Sequence, residues 1–207
     1  MIKSLYPCFQ KWSEKGSIYL ISDTHFNDPD RIFMGYYIDE RKQYNILKKI
    51  LTKNDTLIHL GDVGNPDWLH SLPCYKVLIM GNHDSGQIKW WFDEVYTGPL
   101  WISQKLVLSH EPIDIQSWSW IEGEGSNITF NIHGHDHENK TLDYYHLNIC
   151  QNIYGYMPLN LGQFIKEGYL KNIRDIHRVT IDNATNEKKI NKDILKEWYF
   201  DTGVENV

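Results

Sequence analysis

Lys76-Val-Leu-Ile-Met80-Gly-Asn-His-Asp84 sets a short apolar run directly against a polar cluster. A run of this length, rich in branched residues, reads as a buried strand, and Gly81 ends it. Two upstream stretches repeat the arrangement. Ser17-Ile-Tyr-Leu-Ile21 leads into Ser22-Asp-Thr-His25, and Thr56-Leu-Ile-His-Leu60 leads into Gly61-Asp62. Between these two, Tyr44, Leu47, Ile50 and Leu51 fall on one helical stripe within Ile38 to Leu51, and Asn54-Asp55 breaks it. Strands that alternate with helix predict parallel pairing and an α/β fold.

Beyond Phe92 the pattern changes. Strand-like pieces follow closely at Pro99 to Ile102, Lys105 to Ser109, Ile128 to His133 and Leu147 to Cys150. Ser103-Gln104 reads as a hairpin connection, so this half is expected to be antiparallel or mixed. Gly123-Glu-Gly-Ser126 reads as a loop. Residues 1–16 show no clear periodicity, whereas helical spacing returns from Ile190 to Trp198. The expected organisation is a single domain over 1–207, with a motif core at 17–165 and a C-terminal extension at 166–207.

The chain's 207 residues allow one sizeable core, and 41% apolar with 23% charged residues is ordinary for a globular protein. No apolar run approaches the roughly 20 residues of a membrane span, and residues 1–10 lack a signal-peptide apolar region. The three cysteines, Cys8, Cys74 and Cys150, are odd in number and form no CxxC pair. They read as reduced thiols, which suits a cytoplasmic setting. A net charge of -6 argues against whole-molecule attraction to duplex nucleic acid. Phosphate would need a local positive site, such as bound metal.

Polar clusters follow the apolar runs throughout: Asp23-Thr-His25, Gly61-Asp62, Gly81-Asn-His-Asp84, His110 after Leu106-Val-Leu-Ser109, and Gly134-His-Asp-His137. Each is weak alone, since Gly-Asp is a common turn and a single strand-end His is commonplace. Together they gather at the carboxyl edge of strands, where open α/β sheets bind ligands. Asp23, His25, Asp62, Asn82, His110, His135 and His137 offer two carboxylates, four imidazoles and one amide oxygen. That donor set suits divalent Mn, Fe, Zn, Ni or Co, and the absence of Cys disfavours a structural zinc finger. With one carboxylate shared, two metals receive four protein ligands each.

The order Asp-x-His, Gly-Asp, Gly-Asn-His-Asp, His, Gly-His-x-His resembles the calcineurin-like metallophosphoesterase superfamily. Ile18 to Phe26 and Leu147 to Pro158 look like its small bacterial and phage-type phosphoesterases. The resemblance implies a four-layer α/β/β/α sandwich with two mixed sheets. It implies two divalent metal ions, Mn2+ first among them. It implies hydrolysis of a phosphodiester, rather than a monoester, by a hydroxide bridging the metals. The substrate would be small or nucleotide-like. Asp23, His25 and His137 would hold one metal, and Asn82, His110 and His135 the other. Asp62 would bridge them. His83 would sit beside the substrate as a catalytic group, with Asp84 orienting it. Neutral Asn82 in place of a third carboxylate keeps such a centre net positive.

Departures narrow the reading. Val63-Gly-Asn-Pro66 stands where protein serine/threonine phosphatases continue with Asp-Arg, which disfavours that activity. Asn65 stands where purple acid phosphatases carry their Tyr. The alternatives are a non-catalytic binding or scaffold protein on the same fold, or a single-strand nuclease. An all-helical HD-type phosphohydrolase, suggested by His83-Asp84, conflicts with the strand before the pair. His59 alternates away from Asp62 and is expected to be buried and hydrogen-bonded. His133 reads equally as a support of the site or as a structural residue, and Asp136 as solvent-facing. Trp90, Trp91, Trp118 and Trp120 read as packing residues, with stacking on a nucleobase as the alternative.

Overall fold

A computed structural model describes residues 3–4, 16–33, 35, 37–102, 106–114, 130–139 and 145–167. Its strands in chain order are β1 (Lys3–Ser4), β2 (Ile18–Ile21), β3 (Thr56–His59), β4 (Tyr75–Ile79), β5 (Glu94–Tyr96) and β6 (Leu100–Trp101). They continue with β7 (Leu106–Leu108), β8 (Phe130–His133), β9 (His146–Asn148) and β10 (Leu159–Asn160). The helices are α1 (Asp30–Phe33), α2 (Glu40–Ile50), α3 (Asp67–His70) and α4 (Leu161–Lys166), with a 3-10 helix at Gly86–Trp91.

Two five-stranded sheets result. One runs β10-β2-β3-β4-β5, with β2 to β5 parallel and β10 antiparallel beside β2. The other runs β1-β6-β7-β8-β9, with only β6 and β7 antiparallel. Both sheets are therefore mixed. The antiparallel β6–β7 pair agrees with the expected hairpin, although residues 103–105 lie outside the described residues. The pairs β7–β8 and β8–β9 are parallel instead. Long connections join them, and parallel neighbours need such crossovers.

Alternation along the first sheet explains its place between two layers. Ile18, Leu20, Ile58, Leu60, Val77 and Ile79 face the second sheet and meet Leu106, Leu108, Ile132 and Leu147. The intervening Tyr19, Ile21, Leu57 and Leu78 face outward onto Leu47, Leu51, Leu69 and Ile88. Burial on both faces is why these strands read as unbroken apolar runs. Helix α2 starts where Asp39 accepts a hydrogen bond from Lys42 N at 2.9 Å, satisfying an orphan amide. Helix α4 adds Leu161 and Phe164 to the core between the sheets. On the far face of the second sheet, Trp101, Ile113 and Tyr145 pack around Val107. No helix covers that face among the described residues. Gly123–Ser126, Trp118, Trp120, Cys8 and the 190–198 segment lie outside them. No described helix is long and apolar enough to cross a membrane.

His59 is fully buried on the outward face, edge-on to Phe92. Its Nδ1 accepts from Gly61 N at 3.1 Å, so Nε2 carries the proton and donates to Thr24 Oγ1 at 2.9 Å. Thr24 Oγ1 donates onward to Val63 O at 2.9 Å. The chain of bonds joins the loops after β2 and β3. Burial holds His59 neutral and lowers its pKa to about 3. The unfolded chain takes up this proton near pH 6.5, and the folded protein does so only near 3. Acidification through that window therefore favours unfolding, by up to about 1.4 kcal/mol per pH unit. Melting curves in chelator should show a steeper stability loss from pH 7 to pH 5 for the wild type than for His59→Gln. Equal slopes would contradict a neutral His59.

Candidate metal centre

The strands β2, β3 and β4 end at one edge of their sheet, and β7 and β8 end beside it. The sheets meet there through a parallel bridge between Ser22 and Cys150. Asp23 N donates to Gly61 O at 3.0 Å and His25 N to Asp62 O at 3.1 Å, which ties the first two loops together. Asp23, His25, Asp62, His135 and His137 all have left-handed backbone, with φ of 55°, 41°, 57°, 69° and 49°. That conformation costs a non-glycine residue about 1 kcal/mol or more, so the surrounding bonds impose it. Close packing adds to the constraint. A Cβ on Gly81 would meet Asp62 Oδ1 at 2.2 Å, and one on Gly134 would meet Asp23 Oδ2 at 2.3 Å.

Two triads of donors converge: Asp23, His25 and His137, and Asp62, His110 and His135. Within the first, Asp23 Oδ1 lies 4.0 Å from His25 Nε2 and 3.9 Å from His137 Nε2. Asp62 Oδ2 lies 3.7 Å from His25 Nε2 and 3.4 Å from His110 Nε2, so one oxygen faces both triads. Asn82 Oδ1 completes the second group, at 2.9 Å from His110 Nε2 and 3.0 Å from His135 Nδ1. Donors bound to one metal at about 2.1 Å stand roughly 3–4 Å from each other. Most of these spacings are too long for good hydrogen bonds and right for shared coordination. His25 Nε2 supports this directly: it is buried and has no hydrogen-bond partner. The residues therefore fit a pair of divalent ions.

The sequence profile of the calcineurin-like phosphoesterase superfamily domain matches residues 17–167. The chain belongs to this superfamily. A crystal structure of AQ665 from Aquifex aeolicus, a protein of unknown function, is similar at 28% identity with a TM-score of 0.60. The match covers 73% of this chain and 99% of AQ665. Among curated proteins none matches significantly.

A calcineurin-like phosphoesterase centre depends on which imidazole nitrogen is free. In His110, Nδ1 donates to Leu60 O at 2.7 Å, which leaves Nε2 toward Asp62 and Asn82. In His25, Nδ1 donates to Asp28 Oδ2 at 2.7 Å, which leaves Nε2 as a lone-pair donor. Sequence reading missed Asp28, although the His25-x-x-Asp28 spacing carries the signal. Its other oxygen accepts from Asp30 N at 2.9 Å, so the carboxylate is itself fixed. Such partners of ligating histidines contribute about 10–100-fold in metal affinity. Asp28→Asn should weaken one metal by about that factor and spare the other. Titration calorimetry on apoprotein checks this; two equally weakened sites would contradict it.

The second oxygen of Asp23 is held as well. It accepts from Cys150 Sγ at 2.9 Å and from His135 N at 3.0 Å. Burial, and then the charge of Asp23, push the Cys150 thiol well above its usual range, so it stays a donor. Asp84 corrects an expectation. Its carboxylate does not turn to the ring of His83 but accepts from Asp62 N at 2.9 Å, Val63 N at 3.0 Å and Gly81 N at 2.9 Å. It ties the loop after β4 to the loop after β3, and burial raises its pKa. The carboxylate nearest the His83 ring is Asp30, whose Oδ2 stands 3.9 Å from Nδ1. His83 lies edge-on to His25, with ring centroids 5.6 Å apart, and outside both triads. Asp136 is half-buried. His133 is fully buried and bonded to Gly134 O at 2.8 Å.

Without metal, the centre concentrates negative charge. Burial pushes the Asp62 carboxyl up, but the His110 hydrogen bond and charge outweigh it and hold the pKa down to about 2. Burial pushes His110 down, yet its bond to Asp62 and the charge of Asp23 raise it to about 9. The carboxylates thus draw a positive charge into the place where cations would sit.

Proposed function

We propose that this chain is a dinuclear metal-dependent phosphoesterase that hydrolyses phosphodiesters, with monoesters as lesser substrates. The observation that carries the reading is Asp62 Oδ2, one oxygen facing both triads at 3.4 Å and 3.7 Å. Asp23, His25 and His137 would hold one ion, and Asn82, His110 and His135 the other, with Asp62 between them. Mn2+ leads the candidates by the superfamily resemblance, and nitrogen and oxygen donors without sulfur admit it alongside Fe, Zn, Ni and Co. Two bound dications supply Lewis acidity at the phosphoryl oxygens and lower the pKa of water for the attack.

The protein's own groups then orient the ester and handle its proton. His83 is exposed at the rim, outside the donor sets, where it can donate a proton to the leaving oxygen. The charge of the surroundings supports a diester. Among the described residues, neither cavity beside the centre is lined by Lys or Arg. A monoester dianion would meet no added cation there, whereas a diester brings one negative charge. The net charge of -6 supports a small or nucleotide-like substrate over duplex nucleic acid. The free thiols of Cys74 and Cys150 support a cytoplasmic setting.

The test is turnover by metal-reconstituted protein on bis-p-nitrophenyl phosphate, p-nitrophenyl phosphate, cyclic nucleotides, dinucleotides and single-stranded DNA. Metal-dependent diester hydrolysis faster than monoester hydrolysis is expected. Two tightly held metals with no turnover on any ester would favour a binding protein instead.

A further inference from the structure

A cavity of about 360 Å³ opens beside Asn82 and His110, between the end of β4, the β5–β6 connection and the loop after β7. We propose that it receives the organic group of the ester and selects an uncharged, hydroxyl-bearing group such as a nucleoside over one carrying a second phosphate. This rests on the phosphoesterase reading above. Because Asn82 and His110 form part of its wall, a group in the cavity lies directly beside the place of the scissile phosphate.

The wall is built in advance. Buried Asn131 on β8 donates from Nδ2 to Ser109 Oγ at 2.9 Å and accepts from Ile113 N at 3.0 Å. Ser109 Oγ in turn donates to Glu111 O at 2.6 Å, and His146 Nε2 donates to Ile113 O at 2.7 Å. The loop over 109–113 is thus pinned from below before any ligand arrives, which reduces the ordering cost of binding. Its size is at the lower end of small-molecule sites.

The chemistry of the wall sets the preference. Met80, Pro99, Pro112 and Ile113 give apolar surface. Among the described residues, Glu111 is the sole carboxylate in the lining, and no Lys or Arg accompanies it. A sugar hydroxyl can donate to that carboxylate, whereas a second phosphate would face like charge without compensation. Gly98 offers a direct way to test the space. It lines the cavity, and an added Cβ there would meet nothing within 4 Å.

The experiment compares three esters on Mn2+-loaded protein: methyl p-nitrophenyl phosphate, thymidine 5′-(p-nitrophenyl phosphate), and the latter with a 3′-phosphate. Wild type should favour the 3′-hydroxyl nucleoside ester. Gly98→Leu should raise KM for the nucleoside esters by about tenfold or more and leave the methyl ester and the metal content unchanged. Glu111→Lys should narrow the discrimination against the 3′-phosphate by about tenfold. Equal slowing of all three esters in Gly98→Leu, no change in any, or an unaltered 3′-phosphate ratio in Glu111→Lys would overturn the inference alone. Wild type that holds both metals and hydrolyses none of the esters would overturn the phosphoesterase reading and this inference with it.

Discussion

Asp62→Ala is expected to empty both metal sites and to abolish phosphoester turnover with them. Every other ligand serves one triad, so its loss leaves the second intact. Among the described residues, Asp62 Oδ2 is the carboxylate oxygen within 4 Å of an imidazole in each triad, at 3.7 Å from His25 Nε2 and 3.4 Å from His110 Nε2. The carboxylate also contributes through Oδ1, which accepts from His83 N at 2.9 Å and holds the loop after β4 in place. Removing it loosens Asn82 at the same time. Elemental analysis should fall from about two ions per chain to about none. Asn82→Ala is the contrast: it removes one neutral oxygen from the second group and should weaken that ion alone. The fold needs a control, because Asp62 has φ of 57° and alanine tolerates that region poorly. Asp62→Asn keeps a residue that accepts the left-handed conformation and removes only the charge. It should melt near the wild type in chelator while still failing to hold two ions. Two tightly bound metals in either Asp62 variant would refute the shared-ligand assignment.

How much of this was legible in the sequence depends on burial and on length. The strands β2, β3 and β4 were plain because both of their faces are covered, which turns each into an apolar run. The strands β5 and β10 were missed because they are short, and Glu94-Val-Tyr96 and Leu159-Asn160 mix polar with apolar residues. The seven donors were legible as chemistry, since their types and order follow the strand ends. Their backbone was not. Nothing in Asp23-Thr-His25 announces two left-handed residues, which tertiary bonds to Gly61 O and Asp62 O impose. Asp84 shows the opposite hazard. Adjacency to His83 suggested a pair, but neighbours on a tight turn point in different directions. The carboxylate folded back onto Gly81 N and across to the next loop. Asp28 carried its signal only in its spacing from His25, and left-handed backbone at both His25 and Asn27, with φ of 41° and 50°, lies between the ring and the carboxylate it meets.

His83→Ala should keep both metals and lose most of the activity, with the loss set by the leaving group. The ring belongs to neither triad, and its backbone N, which donates to Asp62 Oδ1, survives the substitution. Metal stoichiometry should therefore match the wild type. What the variant loses is an exposed imidazole at the rim, edge-on to His25 at 5.6 Å. A positioned general acid contributes typically about 10²–10⁴-fold when the leaving group needs a proton. A ribose oxygen leaves as a poor anion and needs it. p-Nitrophenolate is already stable and needs it much less. The variant should thus lose about 10²-fold or more on a dinucleotide and clearly less on bis-p-nitrophenyl phosphate. Asp30 supplies a second check. Its carboxylate is exposed and 3.9 Å from His83 Nδ1, so it contributes a weak orienting charge rather than a fixed bond. Asp30→Asn should change dinucleotide turnover by only a few-fold. A lost metal in His83→Ala would make the residue a ligand. Equal losses on both esters with metals intact would make it a positioning group for the phosphate, and the acid role would fall.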